Sequence, residues 1–398
     1  MKVTRIRWMR IEGLDEHGFG GQPRVLGVIV VRVDTDAGIY GLGEMQDFLG
    51  VRDALDNIRR VLIGADPLAV QPFVTAMLYG RMPHDKGSVE HSMSPTATAV
   101  GPVVWAVSGV EMALCDLAGK AYNTPVYNLL GGKYRNRVLI YADRSCPYDI
   151  ADLDQWRELA CNARDDGFRV IKFDIDVTAF DYTDDVWNRA IPLRQLNKIV
   201  ERLTAVRDAV GWDVELTVDG HMHYDVRDSI RLANALGDLK LMWLEDPTPI
   251  VNPDALARVR EKSPIAICAG EMFITEQFRL FIDRGALDIV HPDVLFSGGL
   301  HETKKIADYA DQHYIPLALH NNGGALATVA AAHVAASSRN FLGLECHFLG
   351  SKFLEEFIDR GTPLFEDGHV CLSDRPGLGL ELNIDVCKKH IVAGELLV

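Results

Sequence analysis

The spacing of apolar residues along this 398-residue chain changes near residue 135. Before that point, the stretch VLGVIVVRVDTDAGIYGLGE alternates apolar and polar residues, which predicts strands on either side of the turn DTDAG. Residues from about 66 to 125 then favour helices and include the strongly apolar VVWAVSGVEMALCDLAGKA. The first part of the chain is therefore predicted to be an α+β module.

From about residue 137, eight short apolar runs alternate with amphipathic stretches of helical spacing, such as DSIRLANALGD. This alternation predicts a parallel β/α barrel of about 230 residues, because each strand and helix repeat adds one parallel strand. The closing DRPGLGLELN again favours a strand and is expected to return to the first module. The eight runs are VLIYAD (138–143), VIKFDI (170–175), ELTVDGH (215–221), LMWLEDP (241–247), IAICAGE (265–271), LDIVHPD (287–293), IPLALH (315–320) and LGLECH (342–347).

Composition excludes several classes of protein. A formal net charge of −15 disfavours nucleic acid and anionic membranes as partners, since both require a basic surface. The seven cysteines are odd in number and never form a C-x-x-C pair, which argues against a disulfide framework and a structural zinc site. The start, MKVTRIRWMRIEG, lacks the continuous apolar segment of a signal peptide. We therefore expect a cytoplasmic protein without a membrane span.

Three of the predicted strands end in acids at equal spacing. The acids are Asp219, Glu245 and Glu271, and each follows the previous one by 26 residues, which is the length of one strand and helix repeat. Barrel active sites lie at the carboxyl ends of the strands, where these carboxylates would raise one another's pKa unless a cation neutralised them. Each acid alone would more simply cap the following helix. The three together predict a metal site whose oxygen ligands suit Mg²⁺ better than Zn²⁺.

A candidate base lies near these acids. His320 ends the seventh run and Asp293 ends the sixth, so the carboxylate can hold the tautomer of the imidazole and raise its basicity. His221 follows Asp219 by two residues, and on an extended chain its side chain would lie on the same face.

Two further residues on the runs could bind an anionic intermediate. Lys172, on the second run, could stabilise such an intermediate or act as a base, although local sequence is equally consistent with a lysine that points to solvent. Glu345 ends the eighth run and could donate a proton to a substrate if protonated. The sequence predicts no role for three other residues near the mouth, His223, Cys346 and His347.

Beyond these residues, the chain resembles the enolase superfamily, and within it the mandelate racemase subgroup, over essentially its whole length. GIYGLGE (38–44) and VSGVEMALCDLAGKAYNTPVYNLLGG (107–132) look like the capping domain of that family. VDGH, WLEDP and CAGE match its three metal-ligand motifs, HPDVLFSGG and LALHNNGG match the Asp and His of its catalytic dyad, and PGLGLEL matches its C-terminal return.

The resemblance implies an α/β fold, a modified TIM barrel of the (β/α)₇β type, with an α+β N-terminal capping domain. The expected division is a capping domain over 1–132, a catalytic barrel over 133–365 and a C-terminal segment over 366–398. It also implies Mg²⁺ and abstraction of a proton α to a carboxylate, which gives a metal-stabilised enolate. We further expect a homo-oligomer.

The second strand departs from the racemase pattern. Racemases carry Lys-x-Lys there, whereas this chain has KFD, so Lys172 remains and Asp174 occupies the position of the second base. Two-base racemisation is therefore disfavoured. Asp219 and His221 instead form an Asp-x-His pattern similar to that of the galactonate and mannonate dehydratases, in which this histidine is the acid that expels a β-hydroxyl.

These features together predict a Mg²⁺-dependent dehydratase that converts a sugar acid, an aldonate, to a 2-keto-3-deoxy acid. His320, assisted by Asp293, would remove the C2 proton, and His221 would protonate the departing 3-hydroxyl. Lys172 and Glu345 would help to stabilise the enediolate and, with Asp174, would contact the substrate.

Two alternatives remain open. One is a racemase, epimerase or cycloisomerase that uses the same enolate, and the other is a catalytically silent barrel that binds a carboxylate ligand or acts by oligomerising. The identity of the sugar acid cannot be read from the two segments expected to face the mouth, EGLDEHGFGGQPR and MQDFLGVRD.

Overall fold

The protein is described here by a computed structural model that covers residues 1–15, 24–79, 100–176, 187–347 and 351–398. Its N-terminal module begins with an antiparallel sheet in the order β1-β2-β3. The strands are β1 (Val3–Asp15), β2 (Arg24–Thr35) and β3 (Tyr40–Met45). The alternating pattern thus forms strands, as predicted, and Gly38 provides the positive φ of 75° in the turn between β2 and β3.

Four helices belong to the described part of this module: α1 (Val51–Leu62), α2 (Val70–Tyr79), α3 (Pro102–Ala121) and α4 (Val126–Leu129). By length and composition α3 could cross a membrane, but most of it is buried inside the protein, where it packs on β3, α1 and α2. The packing on β3 is close, because a Cβ atom on Gly43 would lie 2.0 Å from the carbonyl oxygen of Gly109. The glycines of GLGE therefore let the sheet approach the helix.

Eight parallel strands form a closed barrel, in which the last strand pairs with the first. A strand overlaps each of the eight predicted runs, so the predicted barrel is confirmed. The barrel strands are β4 (Arg137–Asp143), β5 (Val170–Asp174), β6 (Glu215–Asp219), β7 (Leu244–Glu245), β8 (Ile267–Ala269), β9 (Ile289–Val290), β10 (Leu317–Leu319) and β11 (Phe341–Cys346).

One α-helix follows each of the first seven barrel strands, which is the (β/α)₇β arrangement. Most of these helices are amphipathic and cover the outside of the barrel. They are α5 (Leu153–Asp165), α6 (Leu193–Val210), α7 (Val226–Leu236), α8 (Pro253–Lys262), α9 (Thr275–Asp283), α10 (Leu300–Gln312) and α11 (Ala325–Ser337).

The last of these helices, α11, differs from the others because all of its residues are buried. It lies between the barrel and the N-terminal module, in contact with α4, β3 and β4. Its His333 accepts a hydrogen bond at Nδ1 from the Tyr127 amide (3.0 Å), and its Nε2 faces the Leu378 carbonyl oxygen (3.3 Å). Burial lowers the pKa of His333 to about 4, so the imidazole is neutral in the folded protein.

The chain after the barrel, residues 351–398, contacts both parts of the molecule. It contains α12 (Lys352–Glu356), β12 (Ile358–Asp359), β13 (Phe365–Glu366), β14 (His369–Cys371), β15 (Glu381–Leu382) and α13 (Ile384–His390). Strand β14 pairs with β4 of the barrel, and Ile391 pairs with Ile11 of β1. The division of the chain into three parts that was drawn from the sequence stays a prediction.

Candidate active site

The predicted metal ligands lie at the carboxyl ends of neighbouring strands. Asp219 ends β6 and Glu245 ends β7, where the two residues are cross-strand partners, and Glu271 lies two residues beyond β8. Asp219 Oδ2 and Glu245 Oε1 both contact Lys172 Nζ, at 3.2 and 3.0 Å. Glu271 Oε2 instead lies 3.1 Å from His320 Nε2.

Lys172 is at the centre of the acidic cluster rather than on the surface. Its side chain is only 1% exposed, and Nζ also lies 2.5 Å from Glu345 Oε1 and 3.6 Å from Asp143 Oδ2. The alternative of a solvent-exposed lysine is therefore wrong. Burial alone would lower the pKa of Lys172, but the surrounding carboxylates hold it well above its ordinary value, so the ammonium group is charged.

The site holds more carboxylate than nearby positive charge can neutralise. Burial and repulsion from Glu245 raise the pKa of Asp219, and burial together with Glu271 raises the pKa of Asp246 well above its ordinary value. Asp246 Oδ2 and Asp174 Oδ1 are buried without a hydrogen-bond partner among the described residues. An excess of oxygen ligands with incomplete charge compensation fits a divalent cation such as Mg²⁺.

The predicted ligands are not drawn into one cluster, because Lys172 holds Asp219 and Glu245 while His320 holds Glu271. Within the described part of the chain, three sets of side chains at this end of the barrel are close enough to share one ion. These sets are Asp174 with Asp219 and His221, Glu245 with Cys268 and His291, and His320 with Glu345 and His347.

The predicted base and its carboxylate partner are in direct contact. His320 Nδ1 donates a hydrogen bond to Asp293 Oδ2 (2.7 Å), and the backbones of the two residues form a parallel β-bridge. Asp293 Oδ1 also accepts a hydrogen bond from the Leu295 amide (2.7 Å), which fixes the carboxylate. This arrangement keeps the proton on Nδ1 and directs Nε2 toward Glu271 and, at 3.9 Å, Glu345.

Charge around His320 favours its protonated form. Burial would lower its pKa, but Glu271, Glu345 and the hydrogen bond to Asp293 hold it well above the ordinary value. Glu345 responds in the opposite direction: burial would raise its pKa, but Lys172 holds it well below the usual range. Glu345 is thus a carboxylate in this arrangement, and the protonated state required for it to donate is not favoured.

His221 reaches the site by a route that the strand pattern did not predict. Strand β6 ends at Asp219, and the chain then turns, with positive φ at His221 and Met222. The argument from strand alternation is therefore wrong for His221. The turn nevertheless brings the ring back, because Nε2 lies 3.7 Å from Asp219 Oδ2 and Nδ1 lies 3.1 Å from Asp176 Oδ1.

The His221 ring combines a positive charge with access to solvent. Burial would lower its pKa, but Asp219, Asp176 and Asp174 outweigh that effect and raise the pKa of His221 above its ordinary value. Its side chain is 38% exposed. A charged imidazole that opens toward the mouth of the barrel can give a proton to a bound molecule.

His347, His291 and Asp143 are site residues that the sequence did not predict. His347 Nε2 lies 3.2 Å from Asp143 Oδ2 and 3.3 Å from Glu345 Oε1, so His347 belongs to the site. His291 Nε2 lies 3.1 Å from Glu245 Oε1, and its Nδ1 donates to the Ala318 carbonyl oxygen. The available signal was position, since His347 follows Glu345 by two residues and Asp143 ends the first run.

One of the segments expected to face the mouth lies beside the dyad. In MQDFLGVRD, Gln46 donates a hydrogen bond to the Asn322 carbonyl oxygen, and Phe48 stacks on Phe296 with ring centroids 6.0 Å apart. Phe296 in turn packs on the ring of His320. In EGLDEHGFGGQPR, residues 16–23 lie outside the described residues.

Comparison with known families agrees with this architecture. Residues 24–131 match the model of the mandelate racemase/muconate lactonizing enzyme N-terminal domain, and residues 155–386 match the enolase C-terminal domain-like model. The chain belongs to the mandelate racemase/muconate lactonizing enzyme family of the enolase superfamily. This confirms the family and the capped TIM-barrel fold inferred from the motifs.

Individual relatives are similar over nearly their full length. The chain is 36% identical to a D-xylonate dehydratase of Haloferax volcanii, with 93% of this chain and 86% of the relative covered. It is 27% identical to an arabinonate dehydratase of Saccharolobus solfataricus, with 96% and 93% covered. A mandelate racemase/muconate lactonizing enzyme-like protein from Rubrobacter xylanophilus superposes with a TM-score of 0.87 at 36% identity, and 99% and 98% of the two chains are covered.

These relatives confirm that the chain is an enzyme of the hydro-lyase class that acts on a small molecule. The expected cytoplasmic location, homo-oligomer and absence of nucleic-acid and membrane partners stay predictions.

Proposed function

We propose that the protein catalyses the Mg²⁺-dependent dehydration of an aldonate to a 2-keto-3-deoxy acid. The observation that carries the proposal is that two of the imidazoles at this end of the barrel are held by different carboxylates. His320 is held by Asp293, and His221 lies beside Asp219. Elimination of water needs a base for the C2 proton and an acid for the 3-hydroxyl, and the two imidazoles can meet both needs.

The metal would be held by Asp219, Glu245 and Glu271. When bound, Mg²⁺ would supply electrostatic stabilisation of the negative charge that develops on the substrate carboxylate. The donor set consists of carboxylate oxygens only, and the repulsion that raises the pKa of Asp219 is relieved by any added positive charge.

His320 would remove the proton at C2. Its Nδ1–H is fixed by Asp293, so Nε2 is the atom that accepts the proton. Glu271 contributes to the raised pKa of His320, so Glu271 engaged elsewhere would raise it less and would favour the neutral imidazole that accepts a proton.

Lys172 would stabilise the enediolate formed by that step. Its ammonium group is buried and held by several carboxylates, so little reorganisation is needed when negative charge appears nearby. We assign Glu345 to holding Lys172 in place at 2.5 Å, and we assign Asp174, at the end of β5, to contact with the substrate.

His221 would protonate the departing 3-hydroxyl. Asp176 contacts Nδ1 at 3.1 Å and orients the ring, so Nε2 carries the proton that is transferred. The relatives named as D-xylonate and arabinonate dehydratases support loss of water rather than racemisation as the outcome.

The test is a panel of five- and six-carbon aldonates, assayed for 2-keto acid formation with Mg²⁺ and after chelation. We expect at least one aldonate to give keto acid only when Mg²⁺ is present. Exchange or isomerisation of the C2 centre without keto acid would favour the racemase or epimerase alternative. The absence of both turnover and exchange on the whole panel would contradict the proposal.

A further inference from the structure

The two helices that follow the dyad strands have no side-chain caps of their own. Helix α10 begins after Gly299 and α11 begins after Gly324. Helices α5, α7 and α8, in contrast, begin at Asp152, Asp225 and Asn252, whose side chains accept hydrogen bonds from the first turn. The first amide groups of α10 and α11 therefore need acceptors from elsewhere in the protein.

These acceptors are two glutamates of the N-terminal module. Glu44 of β3 accepts hydrogen bonds from the Gly324 amide and from the Ala327 amide (3.0 Å). Glu111 of α3 accepts hydrogen bonds from the Leu300 amide (2.8 Å) and the His301 amide (3.1 Å). Both glutamate side chains are fully buried, and the helix dipole favours negative charge on a carboxyl group at a helix N-terminus. Burial nevertheless raises the pKa of Glu44 to about 7, against the effect of the hydrogen bonds from the Gly324 and Ala327 amides.

Short segments connect each capped helix to a member of the dyad. His320 lies four residues before Gly324, and Asp293 lies six residues before Gly299. The connection after His320 is rigid, because the Asn322 amide donates to Asp293 Oδ2 (3.3 Å). Asn321 also donates hydrogen bonds from Nδ2, at 2.8 Å to Thr328 Oγ1 and 3.1 Å to the Glu345 carbonyl oxygen.

The glycines of these segments leave space for the glutamates. A Cβ atom on Gly299 would lie 2.2 Å from Glu111 Oε2, and Gly299 has a φ of 97° that disfavours other residues. A Cβ atom on Gly323 would lie 2.9 Å from Glu44 Oε1. The glycine pairs in FSGG and NNGG therefore leave room for the carboxyl groups of Glu111 and Glu44, in addition to allowing the chain to turn.

We propose that Glu44 and Glu111 are positioning residues, through which the N-terminal module fixes the distance between Asp293 and His320. Glu111 holds the start of α10, and the short segment before α10 carries Asp293. Glu44 holds the start of α11, and the short segment before α11 carries His320. The inference rests on the proposed function, in which His320, held by Asp293, is the base.

The test compares Glu44→Gln with a matched variant, Asp116→Asn. Asp116, on α3, is likewise a fully buried acid, but its partners are the Leu42 and Leu378 amides, at 2.9 and 2.8 Å, and Lys120 Nζ, at 2.8 Å, rather than the amides of a barrel helix. Amide hydrogen exchange by mass spectrometry, thermal stability, kcat and KM are measured for each variant in the full chain.

Glu44→Gln is expected to speed hydrogen exchange across 321–327 while the remaining barrel segments keep wild-type exchange. Because a displacement of about 1 Å in a catalytic group costs on the order of 10²-fold, kcat should fall by roughly that factor with KM within about threefold. Asp116→Asn is expected to lose thermal stability but to retain wild-type exchange over 321–327 and wild-type kcat.

Wild-type exchange over 321–327 in folded Glu44→Gln would overturn the proposal, as would an equal loss of kcat in both variants. If Glu44→Gln does not fold, Glu111→Gln is tested instead. Faster hydrogen exchange over 298–303 in Glu111→Gln is then the expected result, and wild-type exchange there would overturn the proposal. The exchange measurement needs no substrate, so a failure of the proposed function, seen as an inactive wild type, is distinguished from a failure of this inference.

Discussion

Replacing Lys172 by Met should destabilise the metal-free protein strongly. Nζ lies within 3.2 Å of Glu345, Glu245 and Asp219. At an effective dielectric constant of about 20, each of these pairs is worth on the order of 5 kcal/mol before desolvation and mutual repulsion of the acids are subtracted. Removing one partner of a buried ion pair typically costs about 3 to 5 kcal/mol, and we expect a loss in that range.

The loss should depend on pH in a defined direction. Lys172 holds the pKa of Glu345 well below its ordinary value of 4.5, so the pair adds stability that is present above that value and lost as the pH falls through the lower pKa of the folded state. In the variant the carboxylates take up protons instead. The difference in free energy of unfolding between wild type and Lys172→Met should therefore be largest near pH 7 to 8 and shrink in acid.

The assay is urea denaturation in EDTA and in saturating Mg²⁺, with the exposed Lys262→Met as the matched control. Mg²⁺ should stabilise Lys172→Met more than wild type, because an added cation replaces the missing charge beside Asp219 and Glu245. Wild-type stability of Lys172→Met in EDTA near pH 8 would refute the reasoning, since it would show that the acids do not depend on this ammonium group.

Four further outcomes are expected. Chelation should abolish turnover and Mg²⁺ should restore it, and Glu245→Gln should stay inactive in Mg²⁺; full activity after chelation would contradict the metal assignment. His320→Asn should lose both dehydration and solvent exchange of the C2 proton, and exchange that persists would place the base elsewhere. His221→Asn should slow dehydration on the order of 10²- to 10⁴-fold, and in deuterated water it should incorporate deuterium at C2 of the substrate faster than it forms keto acid. His223→Asn serves as the control. Dehydration of His221→Asn at the native rate would reduce His221 to a residue that positions the substrate. His333 has a pKa of about 4 in the folded protein against about 6.5 in the unfolded chain, so the neutral His333 lowers the free energy of unfolding as the pH falls from 6.5 toward 4. In urea denaturation, the advantage of wild type over His333→Gln should therefore shrink by about 2 kcal/mol between pH 7 and pH 5. A difference that stays constant with pH would refute the assigned protonation state.

The barrel could be predicted because its strands combine two local signals, an apolar interior and a polar residue at the carboxyl end. Each signal is present within a single run, and the regular alternation with helices then determines the closed sheet. The direction of Lys172 could not be predicted in the same way, because a lysine inside a barrel requires acids contributed by strands as distant as β11. Local sequence contains no information about those partners.

The surroundings of the histidines could not be predicted from local sequence either. His347 has its partner, Asp143, on the first barrel strand, about 200 residues earlier in the chain, so the sequence around His347 could not reveal its environment. The position of His221 was predicted near Asp219, but the alternation used to place it failed, because the chain turns directly after the strand ends, with positive φ at His221 and Met222. Motifs predicted the candidate site, whereas the ring orientations required the three-dimensional structure.

The pairing of Ile391 with Ile11 has a consequence for synthesis of the protein. Strand β1 is the edge of its sheet, and Ile11 and Arg10 of that edge are covered only when Ile391 and Val392 reach them. At a translation rate of about 5 to 20 residues per second, roughly 20 to 80 s separate the synthesis of Ile11 from that of Ile391. During that interval the edge of β1 is unpaired at these residues, and an unpaired strand edge is a surface on which another chain can pair.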